Sequence, residues 1–453
     1  MIDSLKMRLG EKVSTNRSVL EVHGRDEGYP DEQPPSAVVF AESARDVREV
    51  LTWASENRIP VIPFGAGTSL EGQLIPRGPA VSLDLSRMNR IVQIKPEDFL
   101  AVVEPGVTYP ALNRALRHHG MFFPVDPGAE ASLGGMAATN ASGTTTVRYG
   151  GMRQNTLALE VILANGETLR LGRPVRKTSS GYDLKDLFIG SEGTLGVITE
   201  LSLRLHPLPT HVHALRAFFK SIDAAAEAAY LVMASALPVA RLELIDDIGL
   251  RAVNRYADRN YPESPALFME FHSSSAAAME EELGEATRLA QEAEATAVEE
   301  ARGVEELTSL WEARHRVYWA FIALFSGRKY MITDAAVPIS QMPSLIGFAR
   351  RTLRDMQLDG SIIGHVGDGN FHVMIATARE DYPRAEAFAA QLVRAALEAD
   401  GTATGEHGIG LRKKQFLALE HASAVKWMRM LKRLFDPNGL LNPGKVLDLG
   451  EEP

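Results

Sequence analysis

The sequence predicts an α+β protein in two parts, on three observations. The N-terminal half alternates short apolar runs with a few amphipathic helices and carries three separate glycine-rich segments. Around residues 207–212 the stretch HPLPTHVH brings two prolines close together, which places a domain boundary near residue 208. Beyond it strands and longer helices alternate, a texture that suits a sheet with helices on one side. Residues 1–208 and 209–453 are therefore the two expected domains, and the punctuated stretch DPNGLLNPGKVL closes the second.

In the first half, Ser43 can cap a helix whose apolar positions Ala44, Val47, Val50, Leu51 and Ala54 follow helical spacing. The apolar run 59–64 then leads into a glycine-rich loop, and 80–85 and 100–104 read as further strands. Residues 108–119 form a second amphipathic helix that stops at Gly120. In LALEVILANGETLRL, Leu157, Leu159, Val161 and Leu163 share a face before Asn165-Gly166 turns the chain, a hairpin signal. In the second half the expected strands are 214–219, 239–245, 266–272 and 331–338, with helices near 222–236, 276–294, 304–324 and 340–355 between them. The acidic stretch 279–300 reads as a solvated helix face.

Composition excludes several function classes. The 48 basic and 58 acidic side chains leave a net charge of −10, against the basic face of a nucleic-acid binder. With no cysteine, the chain cannot build disulfides, thiolate zinc sites, thiol nucleophiles or Cys-ligated iron–sulfur clusters. The opening residues lack a signal-peptide run. The longest weakly polar stretch, 228–240, contains Pro238 and is too short to span a bilayer. A cytoplasmic protein is expected, with peripheral attachment at a membrane left open.

The glycine segments carry the chemistry. PFGAGTSLEG (63–72) follows a strand, and Gly65 and Gly67 let the backbone approach an anion. It is not the dinucleotide fingerprint, because Leu70 stands where the third glycine belongs, and no Gly-Lys-Ser/Thr makes it a phosphate loop of the nucleotide-hydrolysing kind. Taken alone it is as well explained as an ordinary turn. DPGAEASLGGMAATNASG (126–143) is a run of small residues poorly suited to filling a core and well suited to lying against a large, flat, polar-edged ligand. GSEGTLGVITELSLRL (190–205) runs from a glycine loop into a strand.

These three segments resemble the flavin-binding domain of the vanillyl-alcohol oxidase and p-cresol methylhydroxylase superfamily. More narrowly, from about Ser36 to Leu447, the chain is similar to the branch holding cytochrome-type D-lactate dehydrogenases, D-2-hydroxyglutarate dehydrogenases and glycolate oxidase flavin subunits. The resemblance implies a two-part FAD-binding domain plus an α+β substrate or cap domain with an antiparallel sheet. It implies that the C-terminal segment, from about 406, returns to the flavin. Pro63, Phe64, Gly65, Ala66, Gly67, Thr68 and Ser69 would then hold the pyrophosphate. Pro127, Gly128, Ser132, Gly135, Thr139, Ser142 and Gly143 would run along the adenosine and isoalloxazine. Glu192, Gly193, Val197, Ile198 and Asn442 would complete the cofactor contacts. The glycine loop offers no histidine for covalent attachment, so FAD is expected to be non-covalent.

Downstream, SIIGHVGDGNFHVMI sets His365 and His372 on either side of a GDGN turn, and TATGEHGIG carries Glu406 and His407. Gly367 and Gly369 break strand alternation, so the two imidazoles can converge, and two His with one Glu suit a divalent metal with open positions. Spacing alone fits buried or capped histidines equally well. The resemblance implies that His365, His372 and Glu406 ligate zinc, manganese or iron, and that His407 is the catalytic base. It implies too that Arg314, in SLWEARHRVYWAF, anchors the substrate carboxylate, where a helical arginine is otherwise mostly a surface residue. Arg328 and Lys329 could serve a second carboxylate, though solvated surface explains them as well.

The expected reaction is oxidation of a small 2-hydroxy acid, D-lactate to pyruvate by preference, with the hydride passing to flavin N5. D-2-Hydroxyglutarate is the alternative substrate, and the flavin subunit of a glycolate oxidase complex the alternative role. Without cysteines the electrons must leave to an external acceptor: a quinone, a cytochrome or an electron-transfer flavoprotein. A homodimer is compatible with the sequence.

Overall fold

The computed structural model describes residues 2–450. They divide into two compact units: 2–142, Gly150–Leu208 and 406–450 in one, Gly143–Tyr149 and Pro209–Gly405 in the other.

The first unit contains two main sheets. In the smaller, Ala37–Phe40, Val81–Asp84 and Val61–Phe64 run parallel, with Val13–Ser14 antiparallel at the edge. The helix Ala44–Asn57 makes the crossover from Ala37–Phe40 to Val61–Phe64, and Val81–Asp84 then takes its place between those two strands. Ser43 Oγ caps that helix by accepting from the Asp46 amide, and Val47, Val50, Leu51 and Trp53 bury themselves with Val61, Val81 and Leu83. The second sheet is antiparallel, in the order Ile91–Lys95, Leu100–Val103, Val197–Arg204, Thr156–Ile162, Thr168–Gly172. The expected hairpin is its last pair, with Ile162 opposite Thr168 across the Asn165-Gly166 turn. Its inward residues Leu159, Val161, Leu201 and Leu203 meet Leu112 and Leu116 of the helix Tyr109–Leu116 and Met136 of Leu133–Thr139.

The second unit is built on an eight-stranded antiparallel sheet. Its order is Ala295–Arg302, His211–Phe219, Ala266–Ser273, Val239–Ile245, Asp359–Gly364, Asn370–Thr377, Lys329–Ile332, with Ala335–Ala336 also pairing Asn370–Thr377. Helices cover both faces, not the one expected. Leu215, Ala217, Leu267 and Met269 pack towards Ile222–Ala234, Ala276–Glu292, Met342–Asp355 and Tyr382–Glu398. Ala214, Phe218, Ala266 and Phe268 pack towards Asp247–Ala257 and Val304–Leu324. Both faces of the central strands are buried, and their charged positions Arg241, Glu243 and Glu270 are satisfied by ion pairs within the fold, so their alternation suggests a solvent face where a second layer lies. The acidic stretch expected as one helix face divides into the helix Ala276–Glu292 and the strand Ala295–Arg302. The latter is an edge strand, and Glu299 pairs with Arg216 of its neighbour while Glu300 pairs with Arg302. The expected strand 331–338 is interrupted at Thr333-Asp334, a break that matters below.

Candidate active site

In the second unit, strand pairing sets two histidines face to face. His372 stands opposite Ile363 in the ladder, and His365 follows directly after the strand Asp359–Gly364. The turn between them closes at Gly369, with φ +71°. A Cβ on that glycine would lie 2.1 Å from the Val337 carbonyl oxygen, so any side chain there would push the turn apart. The two imidazole rings sit 5.4 Å apart, nearly perpendicular, and both side chains are buried.

A buried carboxylate backs each ring. Glu243, on the adjoining strand Val239–Ile245 and fully buried, lies with Oε1 2.6 Å from His365 Nδ1. Its Oε2 accepts from Arg314 Nε at 2.7 Å. Burial pushes the Glu243 carboxyl up, but the charges of His365 and Arg314 and their hydrogen bonds outweigh it and hold the group below the ordinary carboxylate range. Asp334, at the strand break, accepts from Asn370 Nδ2 and Thr404 Oγ1, both at 2.6 Å, and its Oδ1 stands 3.7 Å from His372 Nδ1. The Glu243 carboxylate at His365 Nδ1 fixes that ring so that Nε2 faces outward, the usual support for a metal ligand, whereas Asp334 Oδ1 stands beyond hydrogen-bond distance of His372 Nδ1. Sequence reasoning missed both acids. In VARLELI, Glu243 reads as a polar residue of an alternating strand.

Arg314 lies on the helix Val304–Leu324, and among the described residues Glu243 is its one hydrogen-bond partner. The pairing uses Nε and does not engage the two terminal nitrogens, the fork that recognises a carboxylate. Arg241, two residues before Glu243, is drawn to Glu270 at 3.4 Å and lies over Trp311. Arg328 pairs with Asp359 at the opposite end of the strand that leads to His365, ~20 Å away at ~3.3 Å per residue. Lys329 is exposed. Arg328 and Lys329 are surface residues.

In the first unit the three glycine segments come together. A Cβ placed on Gly65 would lie 2.4 Å from Ser132 Oγ, and one on Gly193 would lie 2.9 Å from the Pro63 ring. The amides of Gly190 and Glu192 donate to Ala137 and Ala138 carbonyls at 2.9 and 2.7 Å. Ser132 caps the helix Leu133–Thr139 by accepting from the Gly135 amide, and Thr139 Oγ1 donates to the Gly135 carbonyl. Pro127 and Gly128 form a turn at the surface of this unit. Gly143 starts the short segment that belongs to the second unit. Not every expected cofactor residue keeps a side chain for a ligand. Val197 and Ile198 bury theirs in two apolar cores, and Phe64 packs on the His23 ring at 4.2 Å. Their contribution to a ligand is confined to backbone, because strand alternation commits the side chains elsewhere.

The loop carrying Glu406 and His407 is clamped in this unit. Ser142 Oγ donates to Glu406 Oε2 at 2.6 Å. Gln73 Nε2 donates to the His407 carbonyl at 2.8 Å, and Glu192 accepts from the amides of Ile409 and Gly410 at 2.6 and 2.9 Å. A Cβ on Gly408 would lie 2.7 Å from Glu192 Oε1, so the clamp requires glycine there. Asn442 Nδ2 in turn donates to the Glu192 carbonyl at 2.8 Å. The Glu192 carboxylate is thus a loop anchor, and burial pushes it up to about 7. His407 Nδ1 stands 3.8 Å from Glu71, whose carboxylate is also 3.1 Å from Lys413 Nζ.

Asp26 accepts from the amides of Gly28 and Gly72 at 3.0 and 3.1 Å, and burial, helped by the nearby Glu71 charge, lifts it to about 7. A carboxyl raised in this way stabilises the fold fully below its unfolded value of 3.8 and loses that contribution as pH rises through about 7. Asp26→Asn does not titrate, so its melting temperature should lie furthest below the parent's in acid. Scanning calorimetry at about pH 5 and about pH 8 should find the gap narrower at the higher pH, and a gap that widens would contradict the assignment.

A small parallel sheet feeding glycine loops, joined to an antiparallel sheet, is the flavoprotein architecture of vanillyl-alcohol oxidase type. The chain superposes on p-cresol methylhydroxylase with a TM-score of 0.81, over 100% of this chain and 97% of that one at 20% identity. Residues 35–172 match the FAD binding domain family, and 208–446 match the C-terminal domain of FAD linked oxidases. The chain belongs to the FAD-linked oxidases. It is 44% identical to a probable mitochondrial D-lactate dehydrogenase of Danio rerio, over 97% of this chain and 90% of that protein. It is 38% identical to the mitochondrial cytochrome-type D-lactate dehydrogenase of Arabidopsis thaliana, over 99% and 80%. Among the described residues no helix is long and apolar enough to cross a membrane.

The residues present fit the cofactor. Gly65 meets the Ser132 hydroxyl and Gly193 meets the Pro63 ring, so a Cβ at either glycine would fill the space between the loops, and what lines it is backbone amides and small hydroxyls. They fit a divalent ion as well, since two imidazoles, each with a carboxylate at its back, are a borderline-soft donor pair.

Proposed function

We propose that this chain oxidises a D-2-hydroxy acid with FAD, D-lactate to pyruvate being the reaction its residues suit best, and passes the electrons to an external quinone, cytochrome or electron-transfer flavoprotein. The observation that carries this reading is Glu243, which holds Arg314 through Nε and His365 through Nδ1 and so ties a carboxylate anchor to a metal-ligand histidine. When bound, FAD supplies the hydride acceptor at N5, and a divalent ion of zinc, manganese or iron lowers the pKa of the α-hydroxyl.

The chain's own groups do the rest. Arg314 binds the substrate carboxylate through its terminal nitrogens. His365, His372 and Glu406 serve as metal ligands, with Glu243 and Ser142 fixing the orientation of His365 and Glu406. His407 takes the hydroxyl proton. Pro63 to Ser69, Ser132 to Ser142 and Gly193 hold non-covalent FAD largely through backbone. D-2-Hydroxyglutarate would need a second cation beside Arg314; Arg241 is committed to Glu270, and Arg328 is ~20 Å from His365 along its strand. That favours a substrate with one carboxylate.

The test is turnover of the isolated chain with a soluble dye acceptor. The kcat/KM for D-lactate should exceed that for D-2-hydroxyglutarate by about 100-fold or more, because the second carboxylate would enter unpaired. A preference for the diacid would overturn the substrate assignment, and turnover only in the presence of a partner would favour the glycolate oxidase reading.

Glu243→Gln provides a second test. An amide cannot accept from Arg314 Nε and His365 Nδ1 together, so metal affinity should fall about 10–100-fold. Metal titration with atomic absorption reads it directly, and activity should recover at higher metal concentration. Unchanged affinity would remove Glu243 from the metal's support.

A further inference from the structure

The helix Val425–Phe435, VKWMRMLKRLF, turns Val425 and Phe435 towards the core and presents a second apolar set outward. Its buried residues are Val425 and Lys432, and Lys432 Nζ donates to the carbonyls of Thr194 and Leu441 at 2.7 and 2.8 Å. Outward, Trp427, Met430 and Leu434 share one face and are 57%, 54% and 69% exposed, and Leu419 on the preceding helix Lys414–His421 is 57% exposed. Of the fourteen large exposed hydrophobics among the described residues, four fall within positions 419–434. Packing of this unit does not account for them, and such a cluster marks a contact surface.

Charge identifies the contact. Residues 412–435 hold seven cations and one carboxylate, Glu420, in a chain whose net charge is −10. Arg412 and Lys413 are turned to Glu71, Lys432 to Asp436, and Lys414 to Asp448. Lys426, Arg429 and Arg433 are not neutralised in this way. Lys426 lies over the Trp427 ring at 5.3 Å, while Arg429 and Arg433 donate to the Asp448 and Leu449 carbonyls at 2.9 and 3.0 Å. Among the described residues none of these three makes a salt bridge.

We propose that Trp427, Met430 and Leu434, flanked by Lys426, Arg429 and Arg433, dock the protein on an anionic phospholipid surface. An indole and two aliphatic chains enter the headgroup–acyl boundary, and cations on long stems meet the phosphates above them. A second copy of the chain would bring the same three cations against each other, which disfavours self-association through this face. Among the described residues no helix is long and apolar enough to cross a membrane, and the docking proposed here is at the interface.

Flotation of the FAD-loaded full chain with vesicles tests this. With about one part phosphatidylglycerol to two parts phosphatidylcholine at low salt, the protein should float, about ten-fold more than with phosphatidylcholine alone, and high salt should release it. A triple variant, Trp427→Ser with Met430→Ser and Leu434→Ser, should lose about ten-fold in binding while keeping the parent's melting temperature and flavin reduction. Lys426→Glu should weaken binding without any apolar change. The proposal fails if the parent stays with the soluble fraction on anionic vesicles, or if the triple variant floats equally well. It fails too if light scattering finds a dimer that the triple variant abolishes while vesicles remain unbound.

Discussion

Replacing His407 with alanine should slow anaerobic reduction of the flavin by D-lactate about 10²–10⁴-fold, the usual contribution of a general base. The loop around it makes this a clean substitution. Gln73 holds the His407 carbonyl and Glu192 holds the next two amides, so the backbone is fixed by groups that the change leaves in place. FAD content and melting temperature should stay near the parent's. The loss should therefore fall on the rate of reduction at saturating substrate, and added imidazole should restore part of it. A His407→Ala protein that reduces its flavin at the parent rate would remove the base assignment. One that loses FAD would make His407 a structural residue of the loop.

Arg314→Ala should have the next largest effect and should act in two ways. Two charge-assisted hydrogen bonds to the substrate carboxylate, at ~1.5–3 kcal/mol each, set the expected loss in kcat/KM at about 10²–10⁴-fold. The same change strips a partner from the fully buried Glu243, and breaking one side of a buried ion pair costs ~3–5 kcal/mol. Melting temperature should therefore drop along with activity. Arg314→Lys separates the two. It keeps a positive charge for Glu243 and recovers stability, but a point charge cannot reproduce the planar fork, so KM stays high. Full activity in the lysine variant would mean that the fork does not recognise the carboxylate.

The glycine segments could be read in the sequence because runs of small residues have few other uses, and the three loops do meet in one unit at Gly65, Ser132, Gly193 and Pro63. His365 and His372 were legible because glycines in GDGN free them from strand alternation. Their supporting acids were not. Glu243 lies 122 positions before His365 and meets it only through a sheet register that no local pattern announces. Asp334 sits in a strand break that apolar periodicity reads straight through. Glu192 was legible as part of a glycine loop but not as its clamp, since its partners are amides more than two hundred positions downstream. The second helical layer escaped for a related reason: Arg241, Glu243 and Glu270 read as the polar side of half-exposed strands, whereas ion pairs inside the fold satisfy them.

The most direct measurement is the flavin absorbance of the purified protein, held anaerobically and mixed in turn with D-lactate, L-lactate, glycolate and D-2-hydroxyglutarate, before and after a chelator. Bleaching by D-lactate in preference to its mirror image, lost on chelation and restored by a divalent ion, is the result this account requires. A yellow protein that none of these acids bleaches, or one that D-lactate bleaches equally well after complete removal of metal, would contradict it.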